Sequence, residues 1–380
     1  MLGLYVHIPF CSAICNYCNF NRGLFDGAQK ARYVDAITTE IANCRMVVGR
    51  PFQGRQPADT IYFGGGTPSL LDPADVRRII AACRDTFDVS ADAEVTLEAN
   101  PESVDPAKLA ALRDAGVNRL SFGVQSFRDA ELRRLSRLHD AGRARTALAE
   151  ARAAGFDNVS LDLMMWLPEQ RVDEWLASVD AAIACDPDHL SLYLLEVYPN
   201  APLKDDMARA QWSQAPDDDA ATMYVTAMER LESAGFEQYE ISNVAKPGRR
   251  SRHNLKYWTD GEWYGFGCGA HGTIGGVRTK NVAGIDDYID RVSRGVPTAV
   301  DTHRMDAGER LGDVLFTGLR LNDGISLETV RERYGVDVWE KYRADLTPFV
   351  DAGLLRHDGA RLSLTRAGML LANEVMAVFV

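Results

Sequence analysis

Apolar positions in the first two hundred residues follow two alternating rhythms. Short apolar or alternating runs at residues 4–9, 60–63, 94–98, 119–122, 158–163 and 189–195 have the length and composition of strands. Between them, apolar side chains recur at helical spacing. Tyr33, Ile37, Ile41 and Cys44 share one face, and residues 107–115, 140–154 and 172–184 read as further helices. Asp72-Pro73 opens another, with Asp72 as N-cap and Pro73 at the first helical position. Strand–helix alternation at this spacing predicts a parallel sheet with right-handed crossovers. An open doubly wound sheet and a barrel both satisfy it. Six strands with polar motifs at their ends favour a partial (β/α)6 barrel, in which chemistry collects at the C-terminal ends of the strands.

The rhythm changes after residue 200. Residues 199–219 are polar and read as loop, 221–234 as a helix, and 239–276 are rich in glycine and aromatic residues. From residue 303 a separate unit is predicted: a helix capped by Ser326, a helix over 338–352, a hairpin of 354–357 and 361–364 across Asp358-Gly359, and a last helix capped by Thr365. That order resembles a small winged-helix-like α+β domain. The expected division is therefore 1–200, 201–302 and 303–380. Winged helices often read DNA, but residues 301–380 hold ten Lys/Arg against thirteen Asp/Glu, so a packing or lid role is expected.

Charge and composition narrow the function classes. The net charge of −12 speaks against a nucleic-acid binder and against a polybasic membrane-docking surface. The 46% apolar and 25% charged content is that of a globular chain, and no apolar run approaches the ~18 residues of a membrane span. The N-terminus, Met-Leu-Gly-Leu-Tyr-Val, lacks the basic and long apolar regions of a signal peptide and reads as a strand.

Seven cysteines are present, three of them within eight residues. An odd, scattered set does not look like a disulfide framework. Cys44, Cys83 and Cys185, in helical contexts with apolar neighbours, are expected to be small core residues. Cys11-x3-Cys15-x2-Cys18 instead follows the first strand directly. Three thiolates on one loop can hold three irons of a [4Fe–4S] cubane and leave the fourth open to a chelating small molecule. Structural zinc favours four ligands, often as two cysteine pairs, and no second pair is visible.

The run Tyr5-Val-His-Ile-Pro-Phe-Cys11-x3-Cys15-Asn-Tyr17-Cys18-Asn-Phe resembles the radical S-adenosylmethionine (SAM) superfamily. Within it, the chain is similar along essentially its whole length to the branch holding the oxygen-independent coproporphyrinogen III oxidase (HemN) and the haem chaperone HemW. The resemblance implies a TIM-like partial barrel. It also implies a [4Fe–4S] cluster on Cys11, Cys15 and Cys18, with SAM chelating the open iron and cleaved to a 5′-deoxyadenosyl radical. Gly64-Gly65-Gly66-Thr67-Pro68, after the second strand, matches the family's contact to the SAM amino group. Tyr5 matches an aromatic that hydrogen-bonds the SAM carboxylate, and Tyr17 the aromatic before the last cysteine. Glu98 is placed against the SAM ribose or methionine part, with Gln125, Arg137 and Asp162 around SAM.

A later cluster, His253-Asn254-Leu-Lys-Tyr257-Trp258 and Gly265-Phe-Gly-Cys268-Gly-Ala-His271-Gly, resembles HemW and not the oxidase. His253, Cys268 and His271 can each ligate haem iron, and Tyr257, Trp258, Trp263 and Tyr264 can stack on a porphyrin. The residues leave the choice of ligand open. They equally fit a packed aromatic loop in which His253 bonds the backbone.

Two departures bear on function. The chain starts ten residues before Cys11, without the longer N-terminal segment of the oxidase, which weighs against oxidase activity. Trp166 stands where the family usually has a glycine before Leu-Pro, and is expected to fill part of the cavity near SAM, against a second SAM. The leading expectation is a cytoplasmic haem chaperone that carries haem as cargo to haem-accepting respiratory proteins. The family implies a flavodoxin-like electron donor, and a membrane-bound acceptor implies peripheral membrane contact. The alternatives are coproporphyrinogen oxidation and a SAM-dependent methyltransferase or cyclopropanase.

Overall fold

The computed structural model describes residues 1–44, 46–47, 50–51 and 55–380. Six parallel strands pair in sequence order: β1 (Leu2–Ile8), β2 (Pro57–Gly65), β3 (Asp88–Ala99), β4 (Arg119–Gln125), β5 (Val159–Met165) and β6 (His189–Leu194). Side chains alternate across each strand, so register sorts them by face. One row runs Val6, Phe63, Leu97, Leu120, Val159. All five are fully or almost fully buried, in one core with Ile37, Ile79, Leu112 and Leu148 of the surrounding helices. The opposite face is polar. One row runs Tyr5, Tyr62, Thr96, Arg119 and the next Glu98, Ser121, Ser160, His189. The apolar face thus holds the helices on the sheet, and the polar face lines an interior.

The helices form where spacing and caps predict. Asp26 accepts from the Gln29 N–H at 2.7 Å at the start of the helix Gly27–Asn43, and Asp140 from the Arg143 N–H at 2.7 Å before Ala141–Ala153. Asp72 sits at the N-cap of Pro73–Thr86 but does not cap it with its side chain, which pairs with Lys30 instead. Of the three expected core cysteines, Cys83 is buried, while Cys44 and Cys185 are only partly buried against the core.

The stretch read as loop at 199–219 contains a helix, Pro202–Ala210. Its single deeply buried apolar residue, Leu203, packs with Leu135, Met164, Leu167 and Leu195, too sparse a pattern to read as periodic.

The sheet does not end at residue 200. Past β6, strands β7 (Glu237–Glu240) and β8 (Asn243–Ala245) continue it antiparallel. At the other edge, β9 (Trp263–Phe266) lies parallel to β1 and leads into antiparallel β10 (His271–Ile274), β11 (Val277–Asn281) and β12 (Ala299–Arg304). Twelve strands therefore form one sheet.

The C-terminal unit has helices Ala307–Gly318, Leu327–Tyr334 and Val338–Asp351. Its predicted hairpin (Leu355–His357, Arg361–Leu364) gains a third short strand, Ile325–Ser326. No described helix is long and apolar enough to cross a membrane.

Candidate cluster and cofactor site

At the C-terminal ends of β1 to β6 lies a cavity of about 420 Å³. Cys11, Cys15 and Cys18 line it from the loop after β1, and Gly65, Gly66 and Thr67 line it from the end of β2. Glu98, Gln125, Asp162 and Tyr193 come from the ends of β3 to β6. The six strand ends thus converge on one space, the arrangement a parallel barrel dictates.

The cysteine loop is braced by polar contacts. Arg137 Nη1 lies 3.4 Å from Cys15 Sγ, and Thr67 Oγ1 lies 3.6 Å from Cys11 Sγ. Arg137 Nη2 also donates to Asn100 Oδ1 and to the Gly123 carbonyl, both at 2.7 Å. Asn100 closes the circuit by donating to Thr67 Oγ1 at 3.1 Å. Burial pushes the Cys11 and Cys18 thiols above the usual thiol range, so a positive partner is needed to hold them as thiolates.

The glycine loop binds less through its N–H groups than its composition suggests. The Gly65 N–H donates to Glu98 Oε2 at 3.1 Å, Gly66 to the Ile8 carbonyl at 2.8 Å and Thr67 to the Phe10 carbonyl at 2.7 Å. With those donors occupied, the loop offers a ligand carbonyl oxygens, the partner an ammonium requires. A side chain at Gly66 would put a Cβ 2.8 Å from the Phe10 carbonyl oxygen, so glycine is what lets this turn meet the root of the cysteine loop.

Two carboxyl groups sit inside. Glu98 accepts from Tyr62 Oη at 2.7 Å, and Ser121 Oγ donates to Asp162 at 3.4 Å. Burial pushes Glu98 up to about 7 and Asp162 up to about 6, and the Asp162 charge adds to the rise at Glu98. A carboxyl raised in the fold contributes stability present below its unfolded value, near 4.5, and lost as pH rises through about 7. The apo protein is therefore expected to melt lower at pH 8 than at pH 5, and Glu98→Gln to recover about 2 kcal/mol of that loss. Thermal melts of both proteins at the two pH values check this. Parallel losses in the two would show that Glu98 is not the source.

Of the residues assigned to SAM from sequence, Tyr17, Gly65, Gly66, Thr67, Glu98, Gln125, Arg137 and Asp162 line the cavity. Tyr5 and Gly64 lie beneath it: Tyr5 Oη hydrogen-bonds His7 Nδ1 at 3.0 Å, and a Cβ on Gly64 would meet the Tyr5 and Tyr62 rings. Gln125 adopts a left-handed φ of 68°. Its Oε1 and the Arg137 Nε are buried with no hydrogen-bond partner among the described residues. A donor set of three thiols beside unpaired polar atoms and carbonyls fits an iron–sulfur cluster carrying an amino-acid-like ligand.

Sequence reasoning missed Asn100, Tyr193 and Arg22 on the cavity wall. Asn100 was within reach, two residues after Glu98 in the same motif. Tyr193 lay in a run read only as strand.

Trp166 does not fill the cavity. It takes φ 60°, the region that suits glycine, and its indole turns outward to donate to the Ala215 carbonyl at 2.7 Å. The expectation that it obstructs space near SAM is corrected, and with it the argument against a second SAM.

The three candidate haem ligands do not meet. His253 is fully buried at the opposite end of the strands, its Nδ1 2.7 Å from Thr60 Oγ1 and its Nε2 2.9 Å from Tyr257 Oη. Burial lowers its pKa to about 3, so it stays neutral. Trp258, from the same helix (Arg252–Trp258), lies under Arg320 at 4.6 Å, and Arg320 pairs with the buried Glu240. The motif therefore joins the barrel floor to the C-terminal unit. Cys268 is fully buried, with Sγ against Tyr33 Oη and Asn21 Nδ2. His271 alone is exposed, at the start of β10 beside Gly265, which pairs with Tyr5 midway along β1.

Residues 5–182 match the radical SAM superfamily and residues 305–371 the HemN C-terminal domain. The chain is 38% identical to the haem chaperone HemW of Bacillus subtilis (strain 168), over 100% of this chain and 99% of that protein. It is 38% identical to the mitochondrial radical S-adenosyl methionine domain-containing protein 1 of Mus musculus, over 98% and 86%. In fold it is similar to the coproporphyrinogen III oxidase HemN of Escherichia coli, with a TM-score of 0.86 and 24% identity over 100% and 89% of the chains. The glycine-lined, three-cysteine cavity and this full-length likeness agree: the chain belongs to the HemW family of the radical SAM superfamily.

Proposed function

We propose that this chain is a haem chaperone that holds a [4Fe–4S] cluster on Cys11, Cys15 and Cys18, binds SAM beside it, and carries haem to acceptor haemoproteins. The observation that carries the reading is the 38% identity to a haem chaperone along the entire chain. When bound, the cluster supplies the electron that cleaves SAM. The chain's own residues prepare the site. The carbonyls of Gly65 and Gly66 receive the SAM ammonium, Arg137 fixes the loop at Cys15, and Glu98 and Asp162 face the remainder of the ligand.

Haem is placed at the same end of the barrel. Phe20, Leu194 and Tyr198 line the cavity mouth yet remain 64%, 48% and 37% exposed, which gives a flat apolar macrocycle a surface to cover. Among the three candidate ligands, His271 has an exposed ring that bonds no described residue, whereas His253 and Cys268 are held by partners in the interior. On this reading His271 is the axial ligand. The setting is the cytoplasm, with a flavodoxin-like donor, respiratory haem acceptors and peripheral membrane contact where the acceptor is membrane-bound.

The test is a haem titration of the anaerobically reconstituted protein, followed by the Soret band beside an assay for coproporphyrinogen decarboxylation. A stoichiometric Soret shift without decarboxylation is expected. His271→Ala is expected to weaken haem at least about tenfold and leave the cluster absorbance intact. Decarboxylation without a Soret shift would replace the chaperone by the oxidase.

A further inference from the structure

The second glycine-rich motif lies against the cysteine loop, and the contacts are specific. Asn21, three residues after Cys18, donates through its side-chain amide to the carbonyls of Cys268 and Ala283, both at 3.1 Å, and sits 3.6 Å from Cys268 Sγ. Its own backbone carbonyl accepts from His7 Nε2 at 2.8 Å. That bond sets the tautomer of His7, whose Nδ1 then accepts from Tyr5 Oη at 3.0 Å. Tyr33 Oη donates to the His7 carbonyl at 2.8 Å and accepts from the Cys268 N–H at 3.0 Å. Residues from the first strand, the cysteine loop, the first helix and the 267–269 turn are thus joined in one closed ring of hydrogen bonds.

The glycines are there because the partners come so close. A Cβ on Gly267 would stand 2.4 Å from Tyr33 Oη and 2.7 Å from the His7 carbonyl oxygen, and one on Gly269 would stand 2.3 Å from Asn21 Nδ2. Both residues also take left-handed φ, 96° and 69°.

We infer that the 267–269 turn is the seat of the cluster loop, and that Asn21 is the positioning residue that locks the loop's returning arm into it. Cys268 belongs to this seat and is not a ligand. The inference rests on the cluster reading and extends it to a motif far away in sequence. Thiolates held by a loop stay in register only if both arms of the loop are fixed. The outgoing arm is fixed by pairing of β1 and by the glycine loop, through the Gly66 and Thr67 N–H bonds. The returning arm is fixed at its start by Asn21 and, from two residues on, by the Gly23 and Phe25 N–H bonds to the Pro9 and Cys11 carbonyls, at 2.7 and 2.9 Å.

Asn21→Asp tests this with almost no change of shape, because it turns a carboxylate toward two carbonyl oxygens. Gly269→Ala attacks the same contact from the other side. Gly275→Ala is the control, since it also has a left-handed φ, 58°, but nothing within 4 Å of a Cβ. Each protein is reconstituted anaerobically, assayed for iron and sulfide, and challenged with an iron chelator while the cluster absorbance is followed. The electron paramagnetic resonance of the reduced cluster is recorded alongside.

Asn21→Asp and Gly269→Ala are expected to lose iron about 10- to 100-fold faster than the parent, with shifted resonance, and Gly275→Ala to match the parent's iron release. Should Gly269→Ala fail to fold, Asn21→Asp decides, paired with Cys268→Ser, which keeps the backbone seat and is expected to retain both cluster and haem. Parental iron release from Asn21→Asp overturns the inference, as does loss of the Soret band in Cys268→Ser. A parent protein that takes up no cluster overturns the cluster reading itself, a separate result.

Discussion

Cys15→Ser is expected to abolish the broad brown absorbance of the reconstituted protein and, with it, SAM cleavage. The three thiols form the wall of one cavity, and Cys15 is the one that Arg137 approaches, at 3.4 Å from its sulfur. Serine keeps the size of the side chain and a hydrogen bond to that guanidinium, so the loop is expected to stay folded. What it lacks is the soft sulfur donor that a cluster iron binds, which an alkanol oxygen does not replace. Two thiolates on a solvent-reached loop then have to retain the cluster alone, and iron content is expected to fall at least about tenfold. Iron and sulfide analysis with the visible spectrum reads the outcome, and an unchanged melting temperature separates it from unfolding. A Cys15→Ser protein that keeps its cluster absorbance would refute the assignment of the three-cysteine loop.

Much of this was readable in the chain, for physical reasons that differ by region. The six strands of the barrel announced themselves because their outer faces must be apolar to hold helices, as with Val6, Phe63 and Leu97. The cavity wall was legible where spacing itself is chemistry: three cysteines in eight residues, and three glycines between a strand and Thr67. Sequence did not reveal direction. Tyr5 and Gly64 belong to the right motifs but do not line the cavity, because His7 holds the Tyr5 ring and that ring packs against Gly64.

Trp166 was misjudged for a related reason. Its identity suggested bulk in the cavity, but a left-handed φ swings the indole to the Ala215 carbonyl. The same limit governs the aromatic motif. His253 and His271 look equivalent as candidate ligands until the fold buries one on the barrel floor and leaves the other exposed.

That placement sets the second large effect, His253→Ala. The imidazole sits fully buried between Thr60 Oγ1 and Tyr257 Oη and stacks on Tyr62 at 5.0 Å between ring centroids. Truncation leaves two buried hydroxyls without that partner and a cavity at the junction with the C-terminal unit, together costing about 3–5 kcal/mol. The acid limb should change as well. The histidine pKa is about 3 in the fold, against 6.5 when exposed, so below about pH 6.5 only the unfolded chain takes up the proton. Stability on account of this group is full above that value and drains as pH falls toward 3. His253→Ala is therefore expected to melt much lower at pH 7.5 but to lose less on acidification than the parent. Below its melting temperature it should bind haem with parental affinity, because the floor of the barrel is far from the mouth. Strand rise alone puts Thr60 about 16 Å below Gly65. The opposite pattern, an unchanged melt with a lost Soret band, would mean that haem reaches the barrel floor and that His253, not His271, receives it.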